Sequence, residues 1–249
     1  MDKPHISFKP QQIFNIFGLS VTNSLLASLI VLVLFILAAW HYRNEKDKKA
    51  AKKSSLYYFI NFLLSALYQF FKSVLGDKID NYFPLVACFF LFIILQNWFG
   101  LIPGVGSLML QEKTQEGLHY VPILRAGTAD LNTTLVLAIV SVLLTNYYSI
   151  RVLGFKKYVA RFYRLKDPVS FFVGTLEIVS EISKVISFSF RLFGNIFAGE
   201  VLLAVIAFLI PILAAFPFLL LEIFVGFIQA VVFSALTAVF INSALQEHH

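Results

Sequence analysis

The sequence predicts an all-α integral membrane protein with five transmembrane helices, one amphipathic helix at or dipping into the membrane surface, and a long tilted helical hairpin at the C-terminal end. Three observations carry this expectation. Hydrophobic residues make up 59% of the 249 and charged residues 14%, with a mean hydropathy of +0.80, a composition unlike that of soluble domains. Five segments reach the ~20 apolar residues that a helix rising 1.5 Å per residue needs to cross ~30 Å of hydrocarbon. Lysine and arginine crowd two connecting segments and are sparse in another, as membrane orientation demands.

The elements follow in order within a single membrane domain, 1–249. Residues 1–20 form an external N-terminal segment. The first span, 21–40, is too long for a signal-peptide core, lacks a small-residue cleavage site and has its strongest charge on the wrong flank, so it is retained. Arg43, Lys46, Lys48, Lys49, Lys52 and Lys53 follow it and mark the inner side. In 56–75, Asn61, Ser65, Gln69 and Lys72 recur at helical spacing opposite Phe62, Leu67 and Phe70, which makes this the amphipathic helix. The second span is 83–102. The loop 103–130 carries only Lys113 and Arg125 as basic residues and faces out. Asn132, directly before the third span, 131–150, reads as a helix cap and not as a glycosylation site. Arg151, Lys156, Lys157, Arg161, Arg164 and Lys166 return the chain to the inner side. The fourth span, 171–209, is nearly twice the necessary length and must tilt, kink or run along the interface. A turn over 211–217 leads into the fifth, 217–244. Five crossings place the N-terminus outside and the C-terminus inside.

Inventory removes several chemistries. The net charge of +6 lies beside apolar spans, so it orients the chain and does not bind nucleic acid. Cys88 is a lone cysteine within a span and reads as a small buried hydrophobe. His5, His41, His119, His248 and His249 fall at termini and span edges, where no pair can grip a haem or catalytic metal. Gly194 to Gly199 superficially matches a phosphate loop, but Glu200-Val201 follows where Lys and Ser/Thr are required. No cofactor or metal site is expected.

A polar constellation remains on the last two helices. Arg191 carries a charge that it cannot shed, inside a span where a central arginine costs at least ~2.5 kcal/mol. At 100° per residue, Glu177, Lys184, Ser187 and Asn195 all lie within about 40° of Arg191, and Glu200 lies on the opposite face. Lys184 with Glu181 also fits an ordinary local ion pair. On the final helix Glu222 and Gln229, seven residues apart, share one face. In an antiparallel hairpin Arg191 and Gln229 stand at about one level, and Glu200 with Glu222 at another, ~13 Å outward. Two carboxyls at one depth suit a proton relay; the plainer alternative is a pair of packing glutamates bonded to hydroxyls or amides.

At these residues the chain resembles subunit a of F-type rotary ATP synthases. The resemblance rests on Arg191-Leu192-Phe193-Gly194-Asn195, then Ala198-Gly199-Glu200, with Gln229 on the next helix. Thr128-Ala129-Asp130-Leu131-Asn132 opening a span, the basic inner loops and the Lys184/Ser187 approach to the arginine extend it over most of the chain. Members often carry a histidine at one position of the Glu200/Glu222 pair, whereas both are carboxylates here. The resemblance implies a proton-translocating stator subunit, not catalytic by itself, in a bacterial inner membrane or an organellar energy-transducing one. Its implied partners are a rotating ring of c subunits, peripheral-stalk b subunits, the remaining synthase subunits and membrane lipid. It further implies two offset half-channels. Protons would enter past Asn195, Glu200, Glu222 and Gln229, load a ring carboxylate, and leave near Glu177, Ser180, Glu181, Lys184 and Ser187, with Arg191 between the paths. An ion-coupled secondary transporter or channel is the alternative, but the inverted repeats usual in that class are missing from the sequence.

Overall fold

The computed structural model describes residues 10–16, 19–49, 53–102, 104–105, 109–114, 117–162, 167–210 and 215–245. Several expected features therefore lie outside the described residues: most of the external segment 1–20 including His5, Lys52 of the first inner loop, Arg164 and Lys166 of the second, residues 211–214 of the turn, and the last residues with His248 and His249.

Seven α-helices and two short hairpins make up the described chain. Strands β1 (Gln12–Ile16) and β2 (Leu19–Thr22) pair antiparallel and feed α1 (Asn23–Lys46), whose first turn is capped by Thr22 accepting from the Leu25 amide. Helix α2 (Ser55–Leu75) runs through a tight turn at Gly76–Lys78 into α3 (Ile79–Phe99). Gly76 has φ +59°, a backbone angle that favours glycine and lets the two helices fold onto one another. The outer loop holds β3 (Met109–Thr114) paired antiparallel with β4 (Gly117–Pro122), then a turn at Gly127–Ala129. Helices α4 (Leu131–Leu153), α5 (Phe155–Phe162), α6 (Pro168–Leu209) and α7 (Ala215–Ala244) complete the chain.

Five stretches are long and apolar enough to cross a membrane: Asn23–Lys46, Ser55–Phe99, Leu131–Leu153, Val169–Leu209 and Ala215–Ala244. The second takes in α2, its turn and α3. The chain is thus an all-α membrane protein. Its exposed apolar side chains, among them Leu29, Val33, Ile36, Leu143 and Phe224, form a surface suited to an apolar surrounding and not to water. Because lipid is as apolar as leucine, close packing and interhelical hydrogen bonds hold the bundle, not expulsion of hydrocarbon from water. Helix α3 sits at the centre, burying Val86, Phe90 and Ile93 at helical spacing. Phe233 of α7 packs its ring against Phe89 and Phe188, with centroids 5.5 and 4.8 Å away. Ser141 and Thr237 bond at 2.8 Å between α4 and α7, and Thr134 bonds Ser189 of α6 at 3.2 Å. Such bonds contribute on average about 0.6 kcal/mol each.

Three expectations need correction. The helix cap at the third span is Asp130, which accepts from the Asn132 amide at 2.9 Å; Asn132 is already inside the helix. A carboxylate at the positive end of a helix dipole serves there better than a neutral amide. Cys88 is exposed on α3, not buried, because the centre of the bundle is already filled by its neighbours Ala87, Phe89 and Phe90. The loops 103–130 and 151–166 are more than connectors: the first holds the β3–β4 hairpin and the second α5.

Candidate polar site on the last two helices

Helix α6 buries Phe188, Ser189, Leu192 and Ile196 against the bundle and turns Ile186, Ser187, Phe190, Asn195 and Ala198 outward. Arg191 stands half-buried at the edge of this outward face, and its Nη2 donates to Ser187 Oγ, one turn earlier, at 3.1 Å. No carboxylate pairs with Arg191 among the described residues. Next along the helix, Asn195 Nδ2 donates to Gln229 Oε1 of α7 at 2.8 Å. Gln229 therefore meets Asn195 and not Arg191, one helical turn from the level read off the sequence. Its own Nε2 is buried without a partner among the described residues.

Glu200 and Glu222 lie in different surroundings. Glu200 receives Arg125 side-on: Nε lies 3.0 Å from each carboxylate oxygen and Nη2 2.9 Å from Oε2. Arg125 is only 8% exposed and also lies over the Phe197 ring, whereas the Glu200 side chain is 43% exposed. Glu222 is 6% exposed and packs so tightly on Gly199 that a Cβ there would overlap its carboxyl group. Among the described residues Glu222 has no cation within ion-pair distance.

The structure also assembles polar groups to which the sequence reading assigned no role. Asn97 of α3 donates to the Gly226 carbonyl of α7 at 2.9 Å and accepts from Thr128 at 2.8 Å. Trp98 Nε1 donates to the Ile223 carbonyl at 3.1 Å. Asp130 accepts from Ser24 of α1 at 2.8 Å. The side-chain oxygen and nitrogen of Gln96, with Ser28 Oγ, are buried beside Gly127 without partners among the described residues. Toward the N-terminal end of α6, Lys184 Nζ donates to Glu181 Oε1 at 2.6 Å, and Asn146 Nδ2 of α4 approaches Glu181 Oε2 at 3.4 Å. This is the local ion pair that spacing allowed. Ser180 is exposed there and Glu177 half-buried. Phe188 and Leu192, which fall between the two polar groups along α6, are buried, and Phe188 packs on Phe233 of α7. Among the described residues no cluster of three His, Cys, Asp or Glu side chains could hold a metal.

The missed residue of most consequence is Arg125. Its signal was present: a lone arginine flanked by Ile123, Leu124, Ala126 and Gly127, a loop stretch too apolar for a freely solvated charge.

The family model described as ATP synthase A chain matches residues 24–242. The chain belongs to that family. It is 31% identical over 240 residues to the ATP synthase subunit a of Legionella pneumophila (strain Paris), a match spanning 94% of this chain and 91% of that one. Against the subunit a of Moorella thermoacetica identity is 28%, over 96% and 98% of the two chains, and against that of Desulforamulus reducens it is 31%, over 92% and 82%. The stretch matched to the ATP synthase A chain family contains both polar groups in full. Membership and the five apolar stretches together make this a multi-pass membrane protein.

Proposed function

We propose that this chain is the proton-translocating stator subunit of the membrane sector of a bacterial ATP synthase, offering two offset half-channels to a ring of carboxylate-bearing c subunits. The chain has no reaction of its own; it is a membrane component of the synthase and directs the ion flow that turns the ring. The peripheral-stalk b subunits would hold it still. Basic inner loops orient it in the inner membrane with the N-terminus outside and the C-terminus in the cytoplasm.

Protons enter from outside through the polar group of Asn195, Glu200, Glu222 and Gln229 and load a ring carboxylate. After riding around the ring they leave inward through Glu177, Ser180, Glu181, Lys184 and Ser187. Arg191 separates the paths. The observation that carries this reading is its placement: a permanent cation, hydrogen-bonded to Ser187 and unpaired with any acid among the described residues, on an outward face whose neighbours Gly194 and Ala198 let another helix approach. At ~4 Å and an effective dielectric of 20, its attraction for an ionised ring carboxylate is about 4 kcal/mol. That holds the passing site unprotonated and repels a proton seeking the direct route. Each charge moved across the membrane releases ~2.3 kcal/mol per 100 mV, which rotation captures only if leakage is blocked.

Arg191→Ala in inner-membrane vesicles tests this: proton-driven ATP synthesis is expected to vanish. Arg191→Lys is expected to fail as well, because an ammonium beside a ring carboxyl can give up its proton. Normal synthesis in either variant overturns the assignment.

A further inference from the structure

Helix α1 carries an apolar track that ends in an aromatic ring and then a cation. At 100° per residue Leu29, Val33, Ile36, Trp40 and Arg43 fall within an arc of about 80°, and all five are exposed. Ala27, Val31 and Glu45 hold the opposite face and are buried. We infer that this end of α1 binds one anionic phospholipid, its phosphate held by Arg43 and Lys46, its glycerol level with Trp40 and an acyl chain along Ile36, Val33 and Leu29. The inference needs only that α1 cross the bilayer and does not depend on the proposed proton path.

The length fits. From Leu29 to Trp40 the helix rises ~16 Å at 1.5 Å per residue, about half of the ~30 Å hydrocarbon core and so the depth of one leaflet. Arg43 stands one turn beyond, at the level of the headgroups, with a tryptophan beneath it as is usual at a membrane boundary. A guanidinium offers a planar fork that matches a phosphate.

The charge is left available by the way the corner is built. Between His41 and Ser54 the sequence has Arg43, Lys46, Lys48, Lys49, Lys52 and Lys53 against only Glu45 and Asp47. Glu45 is consumed internally: its carboxylate accepts from the Ser54 amide at 2.7 Å and the Ser54 hydroxyl at 2.8 Å, and Lys48 lies 3.6 Å from it. Lys53 is turned inward too, donating to the Lys46 carbonyl at 3.0 Å and lying over the Tyr57 ring. Tyr42 stacks on Tyr57 with centroids 5.0 Å apart, so the ends of α1 and α2 are held together. Arg43, Lys46 and Lys49 remain exposed, and none of them makes an ion pair with Asp47 or any other acid among the described residues.

The track also selects among occupants. Another membrane helix packs best on small residues that let backbones approach, whereas this face presents leucine, valine, isoleucine and tryptophan. A soluble acidic segment would meet the cations and leave the apolar track uncovered. A phospholipid satisfies both with one molecule.

The test uses the whole synthase reconstituted in phosphatidylcholine bilayers holding a trace of photoactivatable phosphatidylglycerol, with label on residues 36–49 read by mass spectrometry. Unlabelled phosphatidylglycerol is expected to compete the label away, and added phosphatidylcholine or inorganic phosphate is expected to leave it. Arg43→Gln is expected to lower the competable label about fivefold and Arg43→Gln/Lys46→Gln about 25-fold, from the usual contribution of each basic side chain at an anionic surface. Arg43→Lys, which keeps the charge and loses the fork, is expected to stay within about threefold of the parent. Lys72→Gln, an exposed lysine near the far end of α2, is expected to leave the label unchanged. Equal competition by the two lipids would mean bulk lipid only, and displacement by inorganic phosphate a plain anion site; either overturns the inference. So does a parent without competable label, the outcome if another subunit covers this end of α1, or a double variant labelled like the parent.

Discussion

Gly199→Ala is the smallest change that reaches Glu222 in the proposed entry path. A Cβ at Gly199 would overlap the carboxyl carbon and both oxygens of Glu222. Ordinary contact between such atoms is ~3.5–4.0 Å, so the carboxyl must retreat by roughly 1.5 Å. The atoms that must move are the far end of a flexible side chain, and an off-rotamer adjustment costs only about 0.5–1.5 kcal/mol. Replacing glycine by alanine within a helix returns up to ~1 kcal/mol of that. The subunit should therefore fold and assemble, with a melting temperature within about 4 °C of the parent. Proton transfer is less tolerant, since a ~1 Å misplacement of a reacting group can cost ~10²-fold. We expect uptake in reconstituted vesicles, followed with a pH-sensitive dye, to fall between about 10- and 100-fold. Gly194→Ala is a control for folding of the subunit, because a Cβ there meets nothing within 4 Å among the described residues. The subunit alone should tolerate it, and only a closely docked ring would object. Parental uptake in Gly199→Ala would refute the reasoning, because it would mean that the position of the Glu222 carboxyl against α6 is immaterial.

Other predictions concern the scaffold around that carboxyl. Asn97→Leu leaves the Gly226 carbonyl and the Thr128 hydroxyl without their partner, and at about 1–3 kcal/mol per stranded buried group it should lower the thermal midpoint of the detergent-solubilised complex by several degrees; no shift would show that water replaces the amide freely. Asp130→Ala removes a helix cap and the acceptor of Ser24, a loss of ~1–2 kcal/mol that hydrogen exchange should register as faster exchange in the first turn of α4, with unchanged protection there counting against it. Cys88→Ala should leave both stability and uptake at parental values, since the thiol lies on the exposed surface of α3; a lowered melting temperature would mean that the side chain is packed against something.

Much of the fold was legible because its signal is length. An apolar run of ~20 residues leaves a bilayer-crossing chain few choices, so the third and last two helices lie close to where composition put them. Legibility failed where tertiary contact decides. Spacing along α6 correctly turned Glu200 away from the Arg191 face, but it could not show that an arginine from a loop 75 residues earlier would meet it. The stagger of the hairpin was likewise hidden, because it depends on how two helices cross. Gln229 meets Asn195, and Arg191 is left to Ser187. The two β-hairpins had no strong alternating pattern to announce them, and Asp130 outcompeted Asn132 as a cap through a carboxylate that also ties down α1 through Ser24. Arg191 itself was plain from the outset, since an unshielded cation in apolar surroundings is conspicuous in any reading frame of hydropathy.

Helix α6 has one more consequence. Forty-two residues of unbroken helix extend about 63 Å, about twice the ~30 Å of a bilayer's hydrocarbon. Asn146 and Thr134 of α4 meet Glu181 and Ser189 before Arg191, and Gln229 of α7 meets Asn195 just after it. Mechanically this is a beam propped on either side of the charge, so a lateral push near Arg191 is shared between two neighbouring helices.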